Sequence, residues 1–486
     1  MSSVPSAQLP LLGERAGVSQ VRPARILQFG AGNFLRGFVD QMVQEANDSG
    51  VCDLGITVVK ATPRPDPAFD QLRSQHGMFH VVLEGLHDGM PVQSISLVTS
   101  VQRVISAYDD PHQYRAAYLD PDLQVIVSNT TEAGLVWAPD DLKAKPPASF
   151  PGKITALLAD RWQAFGGDPS AGLDLVPCEL VEDNGQLLRD LVRRHAREHD
   201  LPGDFLTWLD ESCAFHDSLV DRIVPGFPTD RAGALMGQLG TRDDVLVMGE
   251  EYAQWAIAGT DRLRERLPLD RAGLPVMYVD DVRPYRETKV RLLNGAHTAL
   301  AAVGIVLGCE TVREAILHPE LRAFTHALLE DEALPTVDGD PRHARAFADA
   351  VLDRFANPAL EHFLGDIALN SLAKWRSRAL PVVLACWAAD RGAPREVLAL
   401  TCTLLRYAGV VAVDGPAILD DARVVAAIRE AYLPTEAPRW VGSAVDTLAW
   451  SEDLGGAAAA RLVEEVAAQV AAIAEEGLEG LVDRWG

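Results

Sequence analysis

Short apolar runs alternate with helical patterns in the first part of the chain, and helical patterns alone dominate after that. Five runs are typical of buried strands because they are short, apolar and bounded by turn residues. They span residues 26–29, 55–60, 125–127, 173–177 and 276–279. From residue 286 onward almost no strand pattern remains. The chain is therefore predicted to have an α/β N-terminal part and a mainly α-helical C-terminal part.

The first strand runs directly into a glycine turn, Gly30–Gly32, and a helical pattern follows to about residue 46. Strand, glycine turn, helix and strand form the start of a dinucleotide-binding fold, because glycines let the backbone approach a pyrophosphate. The match is partial, since Leu35 stands where a third glycine is expected and Lys60 where an acid is expected. Taken alone, the turn is equally compatible with an ordinary strand-to-helix connection.

Polar residues follow a second strand, in the stretch from Ser128 to Gly134. The carboxyl ends of strands are where doubly wound sheets bind ligands. A helix cap formed by Asn and Thr would show the same sequence pattern. However, two strand ends of this kind in one region favour a cofactor site. We therefore predict a Rossmann-like dinucleotide-binding domain over residues 1–280 and a mostly helical substrate or catalytic domain over residues 281–486.

Lys289, Asn294 and His297 lie on one side of a predicted helix. At about 100° per residue they fall within roughly 140° of one another. Leu293 and Leu300 share that side, which indicates that it faces protein. A buried amine, amide and imidazole are costly unless they bond one another or a ligand. The arrangement is a candidate active site, although an ordinary interior helix with one lysine would show the same pattern.

Lysine is scarce in this chain. Of its 44 basic residues, six are lysines, at positions 60, 143, 145, 153, 289 and 374. Arginine keeps its proton under all ordinary conditions, whereas a buried lysine can release it. Lys289 is therefore a candidate proton donor and acceptor.

Length and charge narrow the range of functions. With 486 residues, 48% of them hydrophobic, the chain is too long for one core and suits two or three domains. Its 44 basic and 69 acidic residues give a net charge of −25. This charge argues against partners such as nucleic acid or an anionic membrane, and an acidic substrate would need local cations.

The chain shows no secretory pattern, no apolar run long enough for a membrane span and six scattered cysteines. We therefore expect a cytoplasmic protein with reduced thiols. No set of His, Cys, Asp and Glu has metal-ligand spacing, so no metal site is expected. The expected partner is a small molecule, and the oligomeric state stays open, with a monomer compatible.

Two motifs point to one protein family. Gly-x-Gly-x-x-x-Arg occupies residues 30–36, and Lys289-x4-Asn294-x2-His297 lies late in the chain. With them the sequence resembles the polyol-specific long-chain dehydrogenases, the mannitol dehydrogenase family. Similar stretches at 26–38, 128–134, 177–185, 219–225, 280–300 and 370–381 follow the family's order. The resemblance implies a metal-independent oxidoreductase that interconverts an alcohol and a ketone with NAD.

The resemblance also implies catalytic roles. Lys289 resembles the general acid/base, and Asn294 and Asn184 resemble the two amides that hold the reacting oxygen. His297 resembles the residue that positions the substrate beside the lysine. Burial generally lowers the pKa of a lysine toward neutrality, which suits general acid/base catalysis.

Substrate-binding positions follow from the same resemblance. Asp221 and Lys374 match pocket positions of the family. Asp366 replaces a substrate-binding arginine of the mannitol members, which favours the acid-sugar branch and a hexuronate substrate. Arg376 and Arg378 are further candidates for binding its carboxylate, although both are equally compatible with solvated surface charges.

Cofactor binding is predicted for two neighbouring strand ends and for the end of the second strand. The predicted residues are Ile26, Phe29, Gly30, Ala31, Gly32, Asn33, Phe34, Leu35, Arg36, Gly37, Lys60, Asn129, Thr130, Thr131 and Glu132. A base at Lys60 would suit the 2′-phosphate of NADP, whereas the resemblance implies NAD. We expect NAD, with some use of NADP.

Two alternatives remain at this point. The nearest is another oxidoreductase on the same scaffold, acting on a different uronate epimer or on a neutral polyol such as mannitol. The more distant one is a nucleotide-binding regulator that has lost its chemistry.

Overall fold

The computed structural model of the protein describes residues 8–14, 21–87, 89–450 and 454–485. The chain divides into two compact units. The first extends to Val282, and the second begins at Arg283 and also includes Gly85–Pro91. Each unit is described by itself.

The strands, in chain order, belong to three sheets. They are β1 (Ala24–Phe29), β2 (Gly55–Lys60), β3 (Phe79–His87), β4 (Met90–Val98), β5 (Val101–Ser106), β6 (Val125–Ser128), β7 (Asp174–Pro177), β8 (Ala214–Phe215), β9 (Ser218–Asp221), β10 (Val247–Glu250), β11 (Gln254–Ala258) and β12 (Val276–Val279).

The main sheet has six parallel strands in the order β5-β2-β1-β6-β7-β8. This is the 3-2-1-4-5-6 order of dinucleotide-binding sheets, in which the chain reverses direction across the sheet between the first and fourth strands. Here that switch point lies between β1 and β6, where Phe29 is in register with Ser128. The predicted Rossmann-like fold class is confirmed.

Both faces of this sheet are buried, as a parallel sheet requires. Neighbouring residues of a strand point to opposite faces. Ile26 therefore packs in one hydrophobic cluster with Val58 and Val127, whereas Leu27 packs in another with Ile126. Two separate cores fix the position of the sheet and hence of its carboxyl edge.

Two three-stranded sheets complete the strand structure, with orders β10-β3-β4 and β12-β11-β9. The pattern of apolar runs predicted β1, β2, β6, β7 and β12 but missed most of these strands. β4 is largely exposed or half-buried, so its sequence lacks a continuous apolar run.

The helices of the first unit flank these sheets. They are α1 (Asn33–Leu35), α2 (Gln41–Asp48), α3 (Pro67–Ser74), α4 (Pro111–Tyr118), α5 (Phe150–Ala164), α6 (Asn184–Glu198), α7 (Gly203–Ser212), α8 (Ala232–Leu239) and α9 (Asp261–Arg266). A π-helical segment, Arg36–Asp40, joins α1 to α2. Short 3-10 turns occur at Leu12–Glu14, Glu132–Gly134, Pro169–Ala171 and Leu269–Ala272.

The second unit is helical, and its described residues after Arg283 contain no strand. Its helices are α10 (Arg283–Thr288), α11 (Ala296–Val306), α12 (Val312–Leu317), α13 (Pro319–Ala327), α14 (Pro341–Ala356), α15 (Leu364–Ile367), α16 (Ser371–Arg378), α17 (Leu380–Ala388), α18 (Pro394–Tyr407), α19 (Ala422–Glu430), α20 (Ala437–Thr447) and α21 (Gly456–Trp485, interrupted at Gly477). Two π-helical segments, Lys289–Gly295 and Leu328–Ala333, and a 3-10 turn, Leu334–Thr336, lie between them.

Among the described residues, no helix is both long enough and apolar enough to cross a membrane.

Candidate active site

The glycine turn after β1 lies at the switch point of the main sheet. Gly30 has a φ of +120°, which side chains rarely permit, and a Cβ there would lie 3.2 Å from the carbonyl oxygen of Asn129. Gly32 is exposed at the N-terminal end of the helical segment, and a Cβ there would meet nothing within 4 Å. The turn therefore leaves open space beside free backbone N–H groups, which fits a dinucleotide pyrophosphate.

In the usual dinucleotide-binding motif, the third glycine allows close packing of the helix on the sheet. Here a later glycine allows it. Leu35 occupies the expected position and is buried. Gly37, two residues on, is the site of close approach, since a Cβ there would lie 2.9 Å from Val224 Cγ1 and 3.0 Å from Val247 Cγ1. The spacing therefore differs from the usual motif, and Gly37 lies in the π-helical segment Arg36–Asp40.

Arg36, predicted to bind the cofactor, turns its side chain inward. Its guanidinium donates to the carbonyl oxygen of Ala31 at 3.1 Å, to Asn33 Oδ1 at 2.7 Å and to the carbonyl oxygen of Val245. Burial lowers the pKa of Arg36 to about 10, which leaves it charged at neutral pH. Arg36 therefore stabilises the glycine turn through its hydrogen bonds to Ala31 and Asn33.

The other predicted residues of this turn divide by exposure. Ile26 and Phe29 are fully buried in the two cores, so only their main chain faces the crevice. Phe34 is half-buried and stacks on Phe38 with 4.9 Å between ring centroids. At the end of β2, Lys60 places its Nζ 5.5 Å from the centroid of the Phe69 ring.

The loop after β6 lies beside the glycine turn. Asn129 donates its backbone N–H to the carbonyl oxygen of Phe29 at 3.2 Å and its side-chain amide to that of Cys178 at 2.8 Å. Thr131 has a φ of +70°, an uncommon conformation for a β-branched residue. Glu132 begins the 3-10 turn that follows. The structure thus brings the two predicted cofactor-binding strand ends together.

Asn184, at the start of α6, is fully buried. Its Nδ2 lies 3.0–3.1 Å from the carbonyl oxygens of Pro177, Glu179 and Ser218, and its Oδ1 accepts from the Ser218 N–H at 2.9 Å. The amide therefore joins β7 to β9. Its role as a donor to the reacting oxygen stays a prediction, and that role requires release of one of these bonds.

Asp221 is also in the first unit, at the end of β9. It is buried, and its Cα is in register with that of Gln254 in β11.

Lys289 and Asn294 lie on a π-helical segment, Lys289–Gly295, where an α-helix was expected. In an α-helix residues five apart are about 140° apart around the axis. A π-helix bonds residue i to i+5, so residues five apart lie one turn apart on the same side. The π geometry therefore aligns Lys289 with Asn294, and both are half-buried.

His297 follows one turn later, in α11. Its ring stacks on Phe355 at 4.7 Å and meets His362 edge-on at 4.6 Å between centroids. Its Nε2 is buried and has no hydrogen-bond partner among the described residues. Burial and nearby positive groups hold the pKa of His297 well below its usual value, so the ring is neutral at physiological pH.

Those positive groups form a cationic cluster. Its members, all in the second unit and all acting electrostatically on His297, are Arg378, Arg354 and Lys374. Lys374 Nζ donates to the carbonyl oxygen of Ile367 at 2.8 Å, and Arg378 donates to Thr298 Oγ1 at 3.0 Å. Burial, reinforced by Arg378, lowers the pKa of Lys374.

Lys374 and Arg378 are both half-buried and four residues apart in α16. Arg376, between them, is exposed. The predicted pair therefore belongs to the cationic cluster near His297, whereas Arg376 does not.

Three residues of these regions were missed by sequence reasoning: Glu179, Arg354 and His362. Glu179 is 2% exposed and accepts hydrogen bonds from Ser128 and Thr130. Its position two residues after a predicted strand was a usable signal, whereas nothing local marks Arg354 or His362.

In the described part of the chain, no three His, Cys, Asp or Glu side chains come together as ligands for a metal ion.

Family models account for most of the chain. Residues 24–271 match the mannitol dehydrogenase Rossmann domain, and residues 281–474 match the mannitol dehydrogenase C-terminal domain. The chain belongs to the mannitol dehydrogenase family. It is an oxidoreductase acting on CH–OH groups, as the two motifs predicted.

Curated relatives within the family share the whole length. The altronate oxidoreductase of Bacillus subtilis (strain 168) is 38% identical over 470 residues, which cover 95% of each chain. That of Yersinia enterocolitica is 35% identical over 489 residues, covering 97% of this chain and 99% of its own. The predicted relationship to the acid-sugar branch is confirmed.

Solved structures support the fold. A substrate-free D-sorbitol dehydrogenase superposes with a TM-score of 0.77 at 22% identity, covering 95% of each chain. Pseudomonas fluorescens mannitol 2-dehydrogenase, in a ternary complex with NAD and D-mannitol, gives a TM-score of 0.66 at 20% identity, covering 99% of this chain and 98% of its own.

Proposed function

We propose that this mannitol dehydrogenase family member reduces D-tagaturonate to D-altronate with NADH, reversibly and without a metal, in hexuronate catabolism. The observation that carries the proposal is the cationic cluster of Lys374, Arg378 and Arg354 around the neutral His297. Relatives named altronate oxidoreductase support the same substrate class.

A substrate carboxylate would stabilise the cluster. Lys374 and Arg378 are held near each other in a net acidic protein, and their proximity contributes to the lowered pKa of Lys374. A carboxylate beside both would relieve that repulsion, and charge-assisted hydrogen bonds are roughly twice as strong as neutral ones. A neutral polyol would offer no such compensation. The cluster therefore favours an acid sugar.

Lys289 acts as the general acid in reduction and as the general base in oxidation. Reduction requires a proton for the developing alkoxide and donors arranged around that oxygen. The π-helical segment carries Lys289 and Asn294 one turn apart, which supports a shared role of the amine and the amide at the reacting oxygen. The neutral His297 ring, whose Nε2 has no hydrogen-bond partner in the described part of the chain, bonds a substrate hydroxyl. When bound, the nicotinamide supplies the hydride.

The cofactor is NAD, held at the switch point of the main sheet. Gly30–Gly32 and the N–H groups that follow them would hold the pyrophosphate, and Asn129–Thr131 would border the second half of the dinucleotide. Lys60, at the end of β2, is where an acid would usually select NAD. Some use of NADPH is therefore expected.

The proposal is tested by NADH oxidation with purified enzyme and three substrates: D-tagaturonate, D-fructuronate and fructose. We expect kcat/KM to be highest for D-tagaturonate. A higher value for D-fructuronate would make the protein a mannonate-forming reductase instead. An equal or higher value for fructose would contradict the carboxylate argument.

A further inference from the structure

One carboxylate in the first unit is tied to the loop at the cofactor crevice. Glu179 is the second residue after β7, and it is 2% exposed. Its Oε1 accepts from the Thr130 N–H at 2.8 Å and from Thr130 Oγ1 at 2.9 Å. Its Oε2 accepts from Ser128 Oγ at 3.1 Å. Three hydrogen bonds thus fix the chain where it leaves β6.

The main chain around Glu179 makes two further connections. The Glu179 carbonyl oxygen accepts from Asn184 Nδ2 at 3.0 Å. The Cys178 carbonyl oxygen accepts from Asn129 Nδ2 at 2.8 Å. The loops after β6 and β7 are therefore held to each other and to the predicted catalytic amide through one short segment.

The hydrogen bonds of Glu179 also lie next to a strained backbone conformation, at Thr131. Thr131 has a φ of +70°, and such backbone strain in a β-branched residue persists only where the surroundings impose it. The bonds from Glu179 to Thr130 act on the residue immediately before it. Without them, the loop would be free to relax toward an ordinary φ.

We propose that Glu179 is a positioning residue, which sets the loop Asn129–Thr131 for the nicotinamide half of the cofactor and holds Asn184 through its carbonyl group. β6 starts the second half of the dinucleotide-binding sheet, so the loop after it borders the second half of the dinucleotide. Glu179 itself is too enclosed to touch the reacting atoms. The link to Asn184 rests on the proposed function, whereas the link to the loop rests on the proposed cofactor alone.

The test is NADH affinity, measured by fluorescence titration without any sugar, together with the Tm. Glu179→Ala removes both carboxylate oxygens and with them all three hydrogen bonds. Bonds to a charged group are strong enough that we expect Kd to rise about tenfold or more. Glu179→Gln keeps an oxygen for Thr130 and an amide that donates to Ser128 Oγ. We expect its Kd to stay within about threefold of the wild type.

Asp174 at the opposite end of β7 provides a matched control. It is fully buried and bonded to His216, Arg262 and Arg266 at 2.8–2.9 Å. Asp174→Asn should lower the Tm without changing Kd. A Glu179→Ala protein with lowered Tm but unchanged Kd would overturn the proposal, and so would a Gln variant as weak as the Ala variant. Because no sugar is present, an error in the substrate assignment would not affect the result.

Discussion

The predicted cofactor edge of the first unit (residues 29–37 and 128–132) and the predicted catalytic helix of the second (residues 289–297) are built by different means. At the cofactor edge, glycine backbones shape the crevice, and the buried side chains of Arg36 and Glu179 bond to neighbouring residues. Along the predicted catalytic helix, Lys289 and Asn294 are half-buried, and burial and nearby cations keep the pKa of the His297 imidazole low. One region is defined by main-chain geometry, and the other by the protonation and charge of side chains.

Because the two regions are built differently, we expect mutations to affect NADH binding and turnover separately. Changes at the cofactor edge should alter the affinity for NADH or the stability of the fold. Changes along the catalytic helix should alter turnover and leave NADH affinity near normal. The predictions below test that separation.

The largest effect is expected at Lys289. Lys289→Ala should lower kcat by roughly two to four orders of magnitude, the usual contribution of a general acid/base. Lys289→Arg should be nearly as inactive, because arginine keeps the charge but does not pass the proton. NADH affinity should be unchanged in both. An active Lys289→Arg enzyme would rule out the acid/base role.

The two predicted amides should behave differently. Asn294→Ala should cost roughly 2.7–4 kcal/mol of transition-state stabilisation with little change in Tm. Asn184→Ala should lower the Tm, because the buried N–H and carbonyl groups of Ser218 lose their hydrogen bonds to the Asn184 amide, at about 1–3 kcal/mol per group. Paired measurements of kcat and Tm separate these outcomes. Loss of turnover at an unchanged Tm in Asn184→Ala would make it a second catalytic donor.

Substitutions of Gly32 and Gly37, on the same turn and helix, should have different effects on NADH affinity and on the Tm. Gly32→Ala puts a methyl group into open space where the pyrophosphate would lie, so NADH affinity should fall about tenfold while the Tm stays constant. Gly37→Ala overpacks Val224 and Val247, which should cost about 1–3 kcal/mol of stability and leave Kd unchanged. Titration with NADH and thermal melts would show the reverse pattern if these roles were misassigned.

An effect on stability that depends on pH, and not on turnover, is expected from Glu396 in α18. Its carboxyl oxygens are buried and have no hydrogen-bond partner within the described chain. Oε1 lies 3.6 Å from where a Cβ at Gly295, in the predicted catalytic helix, would be. Burial, reinforced by Glu332, raises the pKa of Glu396 to about 8.

The unfolded chain releases this proton near pH 4.5, so the stabilisation is complete below that pH and is lost as the pH rises through 8. The loss should be on the order of 5 kcal/mol, since the pKa rises from 4.5 to about 8 and one pKa unit corresponds to about 1.4 kcal/mol. Glu396→Gln should flatten the fall of Tm between pH 5 and 9. An unchanged slope would show that Glu396 ionises normally in the folded protein.

Much of the first unit could be predicted from sequence because its signals are local. The strands from Ala24 and Gly55, and the glycine turn between them, follow from apolar runs and φ requirements alone. The role of Gly37 could not be predicted, because it depends on contact with Val224 and Val247, which are distant in sequence.

The catalytic helix was predicted by residue type but not by geometry. An α-helix was expected, and the π-helical form of Lys289–Gly295 depends on tertiary packing that no local pattern records. The proximity of Arg354 and His362 to His297 likewise arises from the fold of the second unit. Sequence therefore indicated the chemistry of the site better than its arrangement.

The assignment of an acid-sugar substrate to the cationic cluster is tested most directly by comparing two substrates in one variant, Lys374→Met. We expect kcat/KM for D-tagaturonate to fall tenfold or more, since a bond to a charged group contributes about 1.5–3 kcal/mol, and kcat/KM for fructose to change less than about threefold. Arg342→Met, which alters an arginine with 92% of its side chain exposed in the same unit, is the control and should affect neither substrate. Equal losses for both substrates in Lys374→Met would contradict the assignment of an acid-sugar substrate to this cationic cluster.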